Sequence, residues 1–214
     1  MPDRYPGYDV LDKRHSPSWN EQTRRVVDAR LALPHAPRFF TEAEWAIVRA
    51  ACDRIVPQPG GDRAPIPTAA LLDNRLHTNE TEGYRHAKLP PLREAWRRGL
   101  AALEAEARAE HGIGFAALAP MQQDALIRRM QRGEMSRPAW GGMPPAMFFK
   151  ERLAHDIVEA YYAHPTAWSE IGWGGPASPR GYVRMGFDRR DSWEAVESHG
   201  SDEARVREMN RRVR

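Results

Sequence analysis

The chain has 214 residues, with 32 lysines and arginines against 29 aspartates and glutamates, for a formal net charge of +3. A hydrophobic fraction of 41% and seven tryptophans exclude general disorder and allow a substantial core. Basic and acidic residues interleave, as in Arg93-Glu94 and Arg97-Arg98 beside Glu104 and Glu106, which describes a solvated helical face and no nucleic-acid groove.

Residues 1–17 are rich in proline and tyrosine and read as an extended arm. No signal-peptide apolar region occurs there, and no run reaches the ~18–20 apolar residues that span a bilayer. Ser18-Trp19-Asn20-Glu21 fits a capping box for a first helix with Trp19, Thr23, Val26, Val27 and Leu31 on one face. Thr41 and Glu44 form a second such box, with Phe40 and Trp45 spaced as a hydrophobic staple. That helix runs through Ile47, Val48, Ala51, Cys52 and Ile55 to Pro57. Cys52 is the single cysteine, so no internal disulfide and no cysteine-rich metal motif can form. Its apolar surroundings predict an inert, buried thiol.

Residues 57–65 are too rich in proline and glycine for regular structure. A short helix is expected over 67–76. Pro90-Pro91 open a long one with Leu92, Trp96, Leu100, Leu103 and Ala107 inward and Gly112 ending it. Another spans about 120–131 with Met121, Leu126, Ile127 and Met130. The most apolar helix starts at Pro144-Pro145 and continues to Tyr161-Tyr162, with Met147 or Phe148, Leu153, Ile157, Ala160 and Tyr161 inward. His164-Pro165 stops it. The chain then enters a loop of Trp, Gly and Pro and ends in a charged tail with a short helix from Asp202 to Arg211. Strand-like alternation is nearly absent. The expected fold is all-α: an irregular multi-helix bundle with long Pro/Gly-rich loops and extended N- and C-terminal arms. Its expected divisions are an arm and first helix (1–37), a helical domain (38–187) and a charged tail (188–214).

Gly112-Ile113-Gly114-Phe115-Ala116-Ala117 matches one form of the dinucleotide fingerprint, but that fingerprint follows a strand. Here a helix precedes it, so the glycines end that helix. His155, Asp156 and Glu159 lie one turn apart, a spacing at which side chains can share a metal. A di-iron bundle needs Glu-x-x-His pairs on two helices, whereas the spacing here is Glu151-x-x-x-His155, and the alternative role for these residues is hydrogen bonding and helix-face solvation. Covalent haem would need paired cysteines, and no G-x-S-x-G elbow occurs. No catalytic or cofactor-binding residues are assigned. The loop from Trp168 to Tyr182 either supplies interface chemistry or folds back as a lid on its own core. Trp168, Glu170, Trp173, Gly174, Gly175, Pro176, Arg180 and Tyr182 are its candidate partner-binding residues, because rigid aromatics and arginine dominate interface hot spots.

Phe39-Phe40-Thr41 with Trp45, Asp53-Arg54-Ile55-Val56-Pro57, the helix from Phe148-Phe149 to Tyr161-Tyr162, Glu170-Ile171-Gly172-Trp173-Gly174-Gly175-Pro176 and Gly181-Tyr182 occur in an ordered series. In that series the chain resembles the gluconate 2-dehydrogenase subunit 3 family over about residues 38–185. The resemblance implies an all-helical, non-catalytic small subunit without its own cofactor. Its implied partner is a large FAD-bearing oxidoreductase of the glucose–methanol–choline class, which it binds, stabilises and helps export; a cytochrome c subunit is a further partner. Members commonly begin with a twin-arginine signal, which this chain lacks. A place in the periplasm or cell envelope then requires the partner to carry the signal, and the alternative is a cytoplasmic complex. The competing functional class is a stand-alone metal protein or enzyme using His155, Asp156 and Glu159.

Overall fold

Thr41 and Glu44 form the reciprocal cap that their spacing predicts. The Glu44 N–H donates to Thr41 Oγ1 at 3.3 Å and the Thr41 N–H to Glu44 Oε2 at 2.9 Å. The helix they open is one of a series in the computed structural model, which describes residues 3–58, 63–79, 81, 86–176, 181 and 184–212. In chain order the α-helices are α1 (Glu21–Leu31), α2 (Glu42–Ile55), α3 (Thr68–Thr78), α4 (Leu92–His111), α5 (Pro120–Arg132), α6 (Pro145–Phe148), α7 (His155–Tyr162), α8 (Pro165–Glu170) and α9 (Glu203–Asn210). Among the described residues there is no strand, and the all-α expectation holds. The chain divides into two units. One comprises residues 33–60 and 67–161, the other residues 1–32, 61–66 and 162–214.

In the first unit, α4 buries the face that its periodicity predicts: Leu92, Trp96, Leu100, Leu103 and Ala107. Gly112 ends α4 with φ of 75°. The second glycine of the false fingerprint, Gly114, lies against the Glu104 carboxylate, which accepts the Phe115 N–H at 2.8 Å. Trp96 is the centre of an aromatic series, with ring centroids 5.9 Å from both Phe40 and Phe148. Gly99 is the space that Phe148 fills: a Cβ there would lie 2.1 Å from the ring's Cζ. On α3, buried Asp73 accepts the backbone N–H groups of Arg38, Phe39 and Phe40 at 2.7–3.0 Å. That carboxylate orders the approach to α2 by satisfying donors which the turn leaves unpaired. Cys52 is buried on α2 as expected. On α5, Leu126, Ile127 and Met130 are buried, whereas Met121 is 83% exposed. It lies in the first turn, off the buried face.

The most apolar helix is not uniform. Between α6 and α7, Phe149–Ala154 adopts π-helical geometry. A π turn closes i→i+5 hydrogen bonds and so adds a residue to the register. The inward residues show why: Phe148 and Leu153 are five apart, and only the wider turn puts both on one face. The same turn carries Arg152 into the interior.

The second unit is built on Tyr8, Val10, Trp19, Val27, Trp168 and Trp193. Within the N-terminal arm, Val10–His15 winds into a 3-10 helix, capped where Asp9 accepts the Leu11 N–H at 2.9 Å. The cap of α1 is Asn20, which accepts the Thr23 N–H at 2.9 Å; the predicted cap, Ser18, is buried. The Asn side-chain oxygen reaches the third helical N–H as readily as a serine hydroxyl does, and it starts the helix two residues later. Val26 and Leu31, placed inward by periodicity, are 42% and 41% exposed. Pro165 does more than stop α7. It is the first residue of α8, with His164 Nδ1 accepting the Thr166 N–H at 3.2 Å. Proline suits that position because it has no N–H to leave unpaired. On α9, buried Asn210 donates to the carbonyls of Pro6 and Val196, both at 3.0 Å, and joins the two ends of the chain.

Candidate functional site

Trp168 closes α8 onto its own core and is 2% exposed. Its indole N–H donates to the Tyr162 carbonyl at 2.6 Å, and the Arg30 guanidinium lies 5.8 Å from its ring centroid. Trp173 packs edge-on against it, with centroids 5.0 Å apart, and remains 37% exposed. The backbone between them turns sharply. Gly172 has φ of 68° and lies against the Tyr5 ring, and Gly175 has φ of 69° between Trp168 and Trp19. A Cβ at Gly172 would lie 2.4 Å from Tyr5 Cε1, so any larger residue would push the arm away. Lys13, buried in the 3-10 helix, donates its ammonium to the Gly174 carbonyl. Val10 N–H donates to Ser169 Oγ at 3.0 Å, and Ser169 Oγ donates to the Pro165 carbonyl. Sequence reasoning did not find Lys13 or Ser169, whose roles follow from contacts with residues about 160 positions away.

The predicted partner-binding residues therefore divide. Trp168 and Gly175 are buried, Glu170, Gly174 and Pro176 are half-buried, and Trp173 is exposed. Arg180 and Tyr182 lie outside the described residues. Ile171, at 47% exposure, stands beside Trp173 in the same turn.

The first unit carries the cluster of His155, Asp156 and Glu159, whose potential ligand atoms lie within 4.8 Å of one another. Asp156 is 1% exposed and is the hub. It accepts the Trp96 indole N–H at 2.8 Å, lies 3.1 Å from His155 Nδ1, and faces the Arg152 and Arg75 guanidiniums at 3.5 and 4.0 Å. Arg75 also pairs with Glu159. Burial pushes the Asp156 carboxyl above the usual carboxylate range, against the opposing pull of Trp96, His155, Arg152 and Arg75. A cation here would have to displace two guanidiniums already neutralising these carboxylates. It would also have to draw the three ligand atoms inward, because zinc–ligand distances are ~2 Å. Among the described residues the buried Arg152 Nε has no acceptor, and a second cation beside it would add repulsion. The cluster has the chemistry of an ion-pair network around one buried carboxylate, Asp156, with His155 and Glu159 exposed at its edge.

Among the described residues no helix is long and apolar enough to cross a membrane. No curated protein and no solved structure matches the chain. The sequence profile named gluconate 2-dehydrogenase subunit 3 does match, over residues 42–175. That span runs from the first turn of α2 to the glycine that seats Trp168 and covers more than half of the chain. This chain belongs to the gluconate 2-dehydrogenase subunit 3 family.

Proposed function

We propose that the chain is a non-catalytic accessory subunit that binds and stabilises a large FAD-dependent dehydrogenase of the glucose–methanol–choline class, with the flavin held by that partner. One observation carries the reading: the family-matched region ends in a glycine-shaped turn that holds Trp173 rigid and part-exposed. A pre-ordered tryptophan loses little conformational freedom on docking, which is why such residues serve as interface anchors. Assistance in maturation or export of the flavoprotein, a cytochrome c subunit as a further partner, and a place at the periplasmic face or cell envelope belong to the same reading.

Co-production of the full chain with the flavoprotein subunit tests it. Copurification at fixed stoichiometry, with the flavin spectrum present in the complex and absent from the chain alone, is the expected result. Failure of the two to associate, or stoichiometric flavin on the isolated chain, overturns it.

A further inference from the structure

Three glycines of the turn after Trp168 each leave room for a group from the N-terminal arm. The Tyr5 ring lies against Gly172, and a Cβ on Gly175 would lie 3.3 Å from Trp19 Cζ2. Between them, a Cβ on Gly174 would lie 3.0 Å from the Lys13 ammonium, which donates to the Gly174 carbonyl. Gly174 differs from its neighbours in one respect. Gly172 and Gly175 have φ of 68° and 69°, whereas Gly174 lies outside the left-handed region. Its backbone does not call for glycine. The ammonium does, since any side chain there would press on it.

Tyr5, Lys13 and Trp19 precede the family-matched span, residues 42–175, and the three glycines lie inside it. We propose that the arm, residues 5–19, is the positioning element of the Trp173 turn, with Lys13 at its centre, so that the turn is ordered for the flavoprotein only while the arm is seated. Lys13 is 2% exposed. A buried ammonium is costly unless its donors are used. Here it bonds the Gly174 carbonyl and lies 5.6 Å from the Trp19 ring centroid, where the ring's negative face favours a cation. Turn and ammonium depend on each other: parting them takes a buried acceptor from the charge and a donor from the carbonyl. Two further bonds carry the order to Trp173. The Val10 N–H donates to Ser169 Oγ at 3.0 Å at the end of α8, and the Trp173 N–H closes back on the Trp168 carbonyl at 2.8 Å. Lys13 touches no partner in this role. It acts through Trp173, whose pre-ordering lowers the conformational cost of docking.

This inference rests on the accessory-subunit reading for its effect on binding, and the experiment separates the two failures. Lys13→Met keeps the apolar stem and removes the ammonium. Gly174→Ala adds the Cβ that presses on it, at a backbone position that tolerates alanine; where Lys13→Met fails to fold, this variant decides. In the full chain each is expected to speed hydrogen exchange at the Trp173 amide about tenfold, read by NMR. Each should also weaken binding of the flavoprotein subunit about tenfold, read by calorimetry. The double variant should be no worse than Lys13→Met alone, because methionine ends short of the space that the alanine fills. Trp96→Phe, in the other unit, is the comparison: it is expected to lower stability and to leave Trp173 exchange and binding as in wild type. Unchanged Trp173 exchange in the single variants overturns the proposal, as do equal acceleration by Trp96→Phe and additive losses in the double variant. Faster exchange with wild-type affinity overturns the arm's part in docking. No binding by the wild type overturns the accessory reading, and the exchange rates still decide whether the arm orders the turn.

Discussion

The indole N–H of Trp96, on α4, donates to Asp156 Oδ2, on α7, at 2.8 Å, and both residues are fully shielded from solvent. A carboxylate in that setting depends on every donor that faces it. Trp96→Phe keeps most of the ring and removes the donor, which should cost about 2 kcal/mol, the usual range for hydrogen bonds to charged groups. The sign of its pH dependence follows from Asp156. Burial already raises the folded carboxyl above its ordinary value, and losing the Trp96 donor raises it further. The variant's folded state therefore binds the proton more readily, and its deficit should shrink as pH falls through the carboxylate range. Urea unfolding of wild type and variant at neutral and acid pH checks this. Equal stability at neutral pH would show that the bond contributes nothing.

Gly99→Ala opposes two effects. Alanine favours the interior of α4 by about 1 kcal/mol. Its Cβ would also stand 2.1 Å from Phe148 Cζ, which the tightly packed rings of Trp96 and Trp140 prevent from yielding. Overpacking of this kind costs about 1–3 kcal/mol or more, so net destabilisation is expected. A rise in melting temperature would mean that Phe148 can move aside. Combining the change with Phe148→Leu should recover much of the loss.

Burial pushes the Cys52 thiol from 9.0 up to about 12. At neutral pH the native protein should label slowly with thiol reagents and rapidly after denaturation. A group whose folded value is raised contributes stability that is present below the unfolded value and lost as pH rises. The Cys52 contribution should therefore decline between about pH 9 and 12, at roughly 1.4 kcal/mol per unit within that window. Comparing alkaline unfolding of wild type and Cys52→Ala isolates it from Tyr8, which burial shifts in the same direction. Rapid native labelling would place Cys52 outside the core.

Trp173→Ala removes a part-exposed ring that packs edge-on against Trp168. Aromatic pairing contributes about 0.5–1.5 kcal/mol beyond area, so a modest fall in melting temperature is expected. Loss of an interface anchor costs about 2 kcal/mol or more, a weakening of roughly thirtyfold in affinity for the flavoprotein. Calorimetric binding and thermal melting of one variant read both quantities. A large melting shift with unchanged affinity would make Trp173 a structural residue only.

Adding zinc or manganese in excess should leave the melting temperature of the isolated chain unchanged. A ligand that binds the native state raises stability with concentration, by ~2.7 kcal/mol at a hundredfold excess over its dissociation constant. A concentration-dependent rise abolished by His155→Ala would establish a metal site despite Arg75 and Arg152.

Much of the helical order is legible locally. The Thr41–Glu44 cap, the buried stripe of α4 and the glycine stops depend on residues within a turn of one another, so the sequence by itself determines where those helices begin, which face they bury and that the chain is all-α. The five-residue step from Phe148 to Leu153 marks the π turn, although simple three-and-four periodicity passes over it. The composition of the Trp168–Pro176 stretch likewise marks an aromatic, glycine-shaped surface element. What only the tertiary structure decides is which of its tryptophans faces out. Trp168 turns inward because Val10, Trp19 and Trp193, remote in sequence, supply its core, while Trp173 stays at the rim. Arg152 and Asp156 pass from an ordinary helical ion-pair spacing to a buried network for the same reason: their partners, Arg75 and Trp96, come from other helices. Caps and periodicity are properties of neighbours along the chain, whereas burial and pairing are properties of neighbours in space, and long-range packing alone assigns those.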